Sequence, residues 1–184
     1  MLSSGYDGAL ALWNCETGEV RLLGYHRHLI NRVVTDDAGR RAATCSSDHT
    51  IGLWNLDEMR LDKSLVGHSD DVEDFVFIDA ASGVSASRDH RIIVWDLKTG
   101  AIRFVLEGHQ KDVLALAHAN GRLYSSGDDK TLRVWDLQTG LEVQCWGPFD
   151  HETDSCAIDA VRCWAVTMAS CVSLTHVGLR TCGR

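Results

Sequence analysis

A single proline, Pro148, is present in 184 residues, and no Gly/Ser-rich or Pro-rich stretch breaks the chain, so no domain boundary is expected before about residue 150. The seven cysteines, at 15, 45, 145, 156, 163, 171 and 182, are odd in number and contain no CxxC pair, which argues against a zinc site. Residues 1–12 lack the basic segment and apolar run of a secretory signal. Reduced thiols and a cytoplasmic location, with nuclear as the alternative, are therefore expected. Long apolar runs are missing too. The one long uncharged stretch, 163–179, is interrupted by serines, threonines and His176 and is too short and polar for an expected membrane span. Positive charge is in deficit, with 18 Lys and Arg against 26 Asp and Glu and a net charge of −8. No basic patch is implied, and neither nucleic acid nor membrane is an expected partner.

What is present is a repeat. The composition, 45% hydrophobic and 24% charged, is that of a soluble globular chain. Trp13, Trp54, Trp95 and Trp135 recur at intervals of 41, 41 and 40 residues, a period that signals a repeat architecture. Each ends a short alternating run, ALALW, TIGLW, RIIVW and TLRVW, which predicts a strand. Asp7, Asp48, Asp89 and Asp129 each stand six residues before a tryptophan, among turn formers that predict a tight hairpin. Asn14, Asn55, Asp96 and Asp136 follow the tryptophans. A second turn comes next, ETG, KTG or QTG in three units and LDEM in the second.

Another short strand then runs to a Gly-His pair, Gly67-His68 and Gly108-His109, each His 14 residues after the preceding Trp. The first unit reads GYHRH instead, and His26 and His28, 13 and 15 residues after Trp13, are both candidates. Units of about 40 residues with four strands, a Gly-His and a Trp-Asp resemble the WD40 repeat family over roughly residues 1–160. The resemblance implies an all-β, WD40-type β-propeller, here partial: about four four-stranded blades, open or incomplete, with an irregular C-terminal tail. The units expected are 1–24, 25–66, 67–107 and 108–147, with the start of a further blade at 148–160 and an atypical tail at 161–184.

Asp, His, Ser and Trp together could suggest a hydrolase triad, but a catalytic set is needed once, whereas this set recurs at equal spacing. The resemblance implies instead a buried hydrogen-bond network made from Asp7, Trp13, Asp48, Trp54, His68, Asp89, Trp95, His109, Asp129 and Trp135. Its hydroxyl would come from Ser85 or Ser87 in the third unit and from Ser125 or Ser126 in the fourth. Buried indole N–H groups and carboxylates must be partnered, which supports such a network. His151-Glu152-Thr153-Asp154 is not HExxH, because Ser155 stands fifth, and there is no GxGxxG, Walker A or GxSxG segment. No catalytic residue, metal or cofactor is expected.

Residues 3–7 match the end of a second strand and its hairpin, so the first unit is expected to lack two strands, and open blade edges predict self-association. After Val161 the text RCWAVTMASCVSLTHVGLRTCGR loses the blade pattern. Permitted codons for 163–177, read one nucleotide earlier, translate to Leu-Gly-Cys-Asp-Asp-Gly-Phe-Val-Arg-Val-Phe-Asp, with an Asp six residues before an aromatic-Asp pair. The tail is therefore expected to be a frameshift product.

The function expected is a non-enzymatic scaffold for other proteins or peptides. The resemblance places partner contacts at the residues before the hairpin aspartates, Tyr6, Ser47, Arg88 and Asp128, and after the Gly-His pairs, Asp70 and Lys111. The alternatives are a substrate-recognition subunit of a ubiquitin-ligase or signalling complex and a truncated relative without independent function. The Trp-Asp-x-Arg docking motif of some family members is absent, since 95–98 read WDLK and 135–138 read WDLQ.

Overall fold

The computed structural model describes residues 1–151 and, between 152 and 184, only the backbone of four strands. Every ladder is antiparallel, and there is no helix among the described residues. The first sheet joins β1 (Leu2–Ser4), β2 (Ala9–Trp13) and β3 (Val20–Tyr25). The second joins β4 (Ile30–Thr35), β5 (Arg41–Ser46), β6 (Thr50–Asn55) and β7 (Arg60–Val66). The third holds β8 (Val72–Phe77), β9 (Ser82–Ser87), β10 (Arg91–Asp96) and β11 (Ile102–Glu107). The fourth holds β12 (Val113–Ala119), β13 (Arg122–Gly127), β14 (Leu132–Asp136) and β15 (Leu141–Trp146). A fifth comprises β16 (Thr153–Ile158), β17 (Arg162–Thr167), β18 (Cys171–Thr175) and β19 (Gly178–Cys182). The sheets are open meanders, the arrangement of a partial propeller. The frameshift expectation rests on side chains outside the described residues.

The sequence reading expected the first unit to lack two strands; its sheet has three. Leu2, Ser3 and Ser4 pair with Leu12, Ala11 and Leu10, so the stretch before the first hairpin is itself a strand.

The core lies between successive sheets, so the inner strands are apolar on both faces. On β10, Ile93 and Trp95 pack with Cys45, Ile51, Leu53 and Leu65 of the second sheet, while Ile92 and Val94 pack with Val113, Leu116 and Trp135 of the fourth. Leu10 meets Ile30, Ala42 and Trp54 between the first and second sheets. The turns are set by side chains. Asp96 Oδ1 accepts the N–H groups of Lys98 and Thr99, and Gly100 follows at φ 78°. In the unit reading LDEM, Met59 takes this left-handed position at φ 54° without a glycine.

The first strands of neighbouring sheets lie side by side. Asp74, on β8 and buried, binds them together: Arg32 Nε of β4 lies 2.8 Å from Oδ1, and the Leu116 N–H of β12 donates to Oδ2 at 2.9 Å. Burial raises its pKa, offset in part by the Arg32 guanidinium.

Ser126 occupies the register position of Ala86 and Cys45, facing Leu132 where those face Ile92 and Ile51. Its hydroxyl is buried without a hydrogen-bond partner. Ser126→Ala is therefore expected to raise stability by about 1 kcal/mol, since it removes an unpaired polar group from the core. The urea midpoint, at unchanged slope, measures this; a lowered midpoint would contradict it.

Candidate functional site

The aspartates of the second, third and fourth hairpins spend their two oxygens differently. One serves its own turn: Asp48 Oδ1 accepts the N–H and hydroxyl of Thr50, Asp89 Oδ1 the N–H of Arg91, and Asp129 Oδ1 both groups of Thr131. The other reaches back to the segment arriving from the previous sheet. Asp89 Oδ2 accepts the Ser69 N–H at 3.0 Å and lies 2.9 Å from His68 Nδ1. The residue after the aspartate takes left-handed φ, at His49, His90, Lys130 and Gly8. At Gly8 any Cβ would stand 2.7 Å from the carbonyl oxygens of His26 and His28, so only glycine fits.

The histidine passes the chain of hydrogen bonds inward. His68 Nε2 lies 2.8 Å from Ser85 Oγ, which also accepts the Trp95 indole N–H at 2.8 Å. The fourth unit repeats this with His109, Asp129, Ser125 and Trp135, and the second with His26, Asp48, Thr44 and Trp54. With the carboxylate accepting from Nδ1, the hydroxyl accepts the indole proton and turns its own toward Nε2. Thr44, Ser85 and Ser125 have no exposed surface, so no substrate carbon can reach them. The arrangement has the residues of a nucleophilic triad and none of its access.

The structure selects His26 over His28, Ser85 over Ser87 and Ser125 over Ser126. A signal for the hydroxyl was present: Ser3, Thr44, Ser85 and Ser125 each stand ten residues before their tryptophan. Asp7 and Trp13 are arranged otherwise. Trp13 Nε1 donates to Ser3 Oγ at 2.7 Å and Asp7 accepts the Ala9 N–H, and no histidine joins them among the described residues. Trp13 is 39% exposed, against 3%, 0% and 1% for Trp54, Trp95 and Trp135.

Burial pushes the Asp48 carboxyl up, but bonds from Thr50, the Arg27 N–H and His26 outweigh it and hold it at about 2. Asp89 and Asp129 lie lower still: burial again raises them and is outweighed by His68 and Ser69, and by His109 and Gln110. Their folded values are below their unfolded ones, so the stability they supply is complete above the ordinary carboxylate pKa of about 4 and is lost as pH falls toward 2 and below. Asp74, shifted upward, acts in the opposite sense. The urea midpoint is expected to fall steeply from pH 4 to 2, less steeply in Asp48→Asn; a flat wild-type profile would contradict the shifts.

Of the candidate contact residues, Tyr6 is 91% exposed. Arg88 is half-exposed, its Nε 2.5 Å from Glu73 Oε1 and 3.9 Å from Asp112 Oδ2. Ser47 is partly buried and donates to Asp71 at 2.9 Å, and the Asp128 N–H donates to the Asp112 carbonyl. Asp70 and Lys111 are exposed. His49, which sequence reasoning passed over, comes near Asp70 and Asp71, their ligand-type atoms all within 4.8 Å of one another.

The sequence model of the WD domain, G-beta repeat, matches residues 19–55, 59–96 and 100–136. The chain belongs to the WD40 repeat family. Its relatives include the nuclear distribution protein PAC1 of Arthroderma benhamiae, 35% identical over 179 residues covering 85% of this chain and 38% of that protein. Transducin beta-like protein 3 of Bos taurus is 33% identical over 153 residues, covering 78% of this chain and 19% of that protein. Mitochondrial division protein 1 of Aspergillus clavatus is 28% identical over 195 residues, 92% of this chain and 28% of that protein. This WD40 chain thus spans well under half the length of these relatives. No helix of the described residues is long and apolar enough to cross a membrane.

Proposed function

We propose that this chain is a non-enzymatic platform on which other proteins or peptides assemble, working in the cytoplasm or nucleus. The observation that carries the reading is the row of residues beside the hairpin aspartates. His–Asp bonds hold the second, third and fourth hairpins, Arg88 stands on the third of them about half-exposed and paired with Glu73, and Tyr6 is exposed on the first. Rigid scaffolds presenting exposed Tyr and Arg on loops are suited to partner recognition. The relatives' names refer to different processes, nuclear distribution and mitochondrial division, which supports reading the repeats as a platform.

The test is capture. Immobilised wild-type chain is compared with Arg88→Glu and Tyr6→Ala for the proteins it retains from a cell extract, with unfolding midpoints measured alongside. Capture is expected to fall several-fold in Arg88→Glu while the chain stays folded, with a midpoint lowered by about 1–2 kcal/mol because the new carboxylate faces Glu73 and Asp112. Retention of the same proteins at the same level by both variants would remove this face from the proposal. Strands β7, β11 and β15 end their sheets with one edge unpaired, so self-association is followed in the same preparations by sedimentation.

A further inference from the structure

The second sheet differs from the third and fourth at one spot beside its buried network. In the fourth sheet Arg133 covers it. Its Nε donates to Thr131 Oγ1 at 3.2 Å, its Nη2 lies 3.8 Å from Asp129 Oδ2, and its Nη1 meets Glu142. In the third sheet Arg91 does the same from two residues earlier, its Nη2 2.8 Å from Asp89 Oδ2 and within reach of the Gly67 carbonyl, while Ile93 packs behind it. The corresponding residues of the second sheet are Thr50 and Gly52. Gly52 faces Ser64 across the ladder, where Ile93 faces Val105 and Arg133 faces Cys145.

This small pair leaves a cavity of about 410 Å³ bordered by His26, Asp48, Thr50, Trp54, Leu61 and Val66. The Asp48 side chain is correspondingly the most accessible of the three buried carboxylates, at 8% against 3% and 4%. Thr50 presents the hydroxyl that Thr131 offers to Arg133, and Leu61 stands where Glu142 stands. The cavity therefore combines a carboxylate and a hydroxyl at its floor with an aliphatic and aromatic wall. That suits a cation carried on a hydrophobic stem, and the sister sheets show that the head group fitting there is a guanidinium.

We propose that the cavity between the first and second sheets binds an arginine side chain of a partner polypeptide. Its guanidinium sits on Thr50 Oγ1 and Asp48, and its methylenes lie against Trp54, Leu61 and Val66. Arg27, exposed at the rim, donates only its N–H to Asp48 and leaves the entrance open. The proposal deepens the platform reading by naming one subsite and its chemistry. It does not depend on the Arg88 face.

Calorimetric titration of the full chain with N-acetyl-arginine-methylamide, and with its neutral citrulline analogue, tests it. Arginine is expected to bind on the order of tenfold tighter than citrulline, because only the charged head forms charge-assisted bonds, and to weaken with added salt. Gly52→Arg, which places Arg133's side chain at its equivalent position, is expected to abolish binding. A Cβ at Gly52 would stand 2.8 Å from Thr44 Oγ1 and Trp54 Nε1, so Thr50→Arg, copying Arg91, serves as the second self-filled variant. Equal binding of citrulline, no detectable arginine binding, or undiminished binding by folded Thr50→Arg would each overturn the proposal. Protein capture through Arg88 would be unaffected by Thr50→Arg, so failure here is separable from failure of the platform itself.

Discussion

Trp95→Ala is expected to cost about 3–5 kcal/mol, the range for deleting a fully buried aromatic ring. Trp13→Ala, at the same place in the first unit, is expected to cost only about 1–2 kcal/mol, in proportion to the smaller area it buries. Trp95 packs with Leu65, Ile93 and Leu97, crosses the His68 ring edge-on at 6.4 Å, and closes on Gly67 so tightly that a Cβ there would stand 2.8 Å from the indole. Alanine would open a cavity between the second and third sheets and leave the Ser85 hydroxyl without its indole donor. Trp13 keeps the hydrogen bond to Ser3 but is 39% exposed. Urea unfolding of the two variants measures the difference, and equal losses would mean that the repeat positions are energetically interchangeable.

The four tryptophans look alike in the sequence, and the contrast between Trp13 and Trp95 shows where a linear reading stops. Period and hairpin spacing were enough for the strand order of the second, third and fourth units, because side-chain alternation and turn chemistry are local; in the first unit the strand before the hairpin was missed. The partners of each unit's network were harder. The histidine that binds Asp89 is His68, 21 residues earlier and attached to the preceding turn of chain. Spacing alone could not choose between His26 and His28, since both lie near the same register and only the contacts of His26 with Asp48 and Thr44 in the fold decide it. Asp74 gave no signal at all. Its role comes from the stacking of β4, β8 and β12, a contact between residues about 40 apart. The cavity beside Asp48 was likewise hidden, since it follows from comparing Gly52 and Ser64 with the cross-strand pairs that fill the same space in the sister sheets.

Asp89→Ala is expected to destabilise the chain by about 3 kcal/mol, and Asp7→Ala by less than about 1 kcal/mol, because the penalty follows the number of buried donors left unpaired. Asp89 accepts four bonds: from His68 Nδ1 at 2.9 Å, the Ser69 N–H at 3.0 Å, the Arg91 N–H at 3.0 Å and the Arg91 guanidinium at 2.8 Å. Asp7 accepts one, from Ala9 at 3.1 Å in an exposed turn. Asp89→Asn separates charge from geometry: the amide oxygen can still serve the Arg91 N–H, but its NH2 group meets the Nδ1–H of His68, the Ser69 N–H and the Arg91 guanidinium, donor against donor. Its loss should therefore fall between those of the alanine variants. Both Asp89 variants are also expected to flatten the fall in stability below pH 4, since the carboxylate whose low folded pKa generates part of that slope is gone. Urea midpoints at pH 7 and pH 3 measure both effects. A large loss in Asp7→Ala, or an unchanged acid slope in Asp89→Ala, would place the stabilising bonds outside the hairpin aspartates.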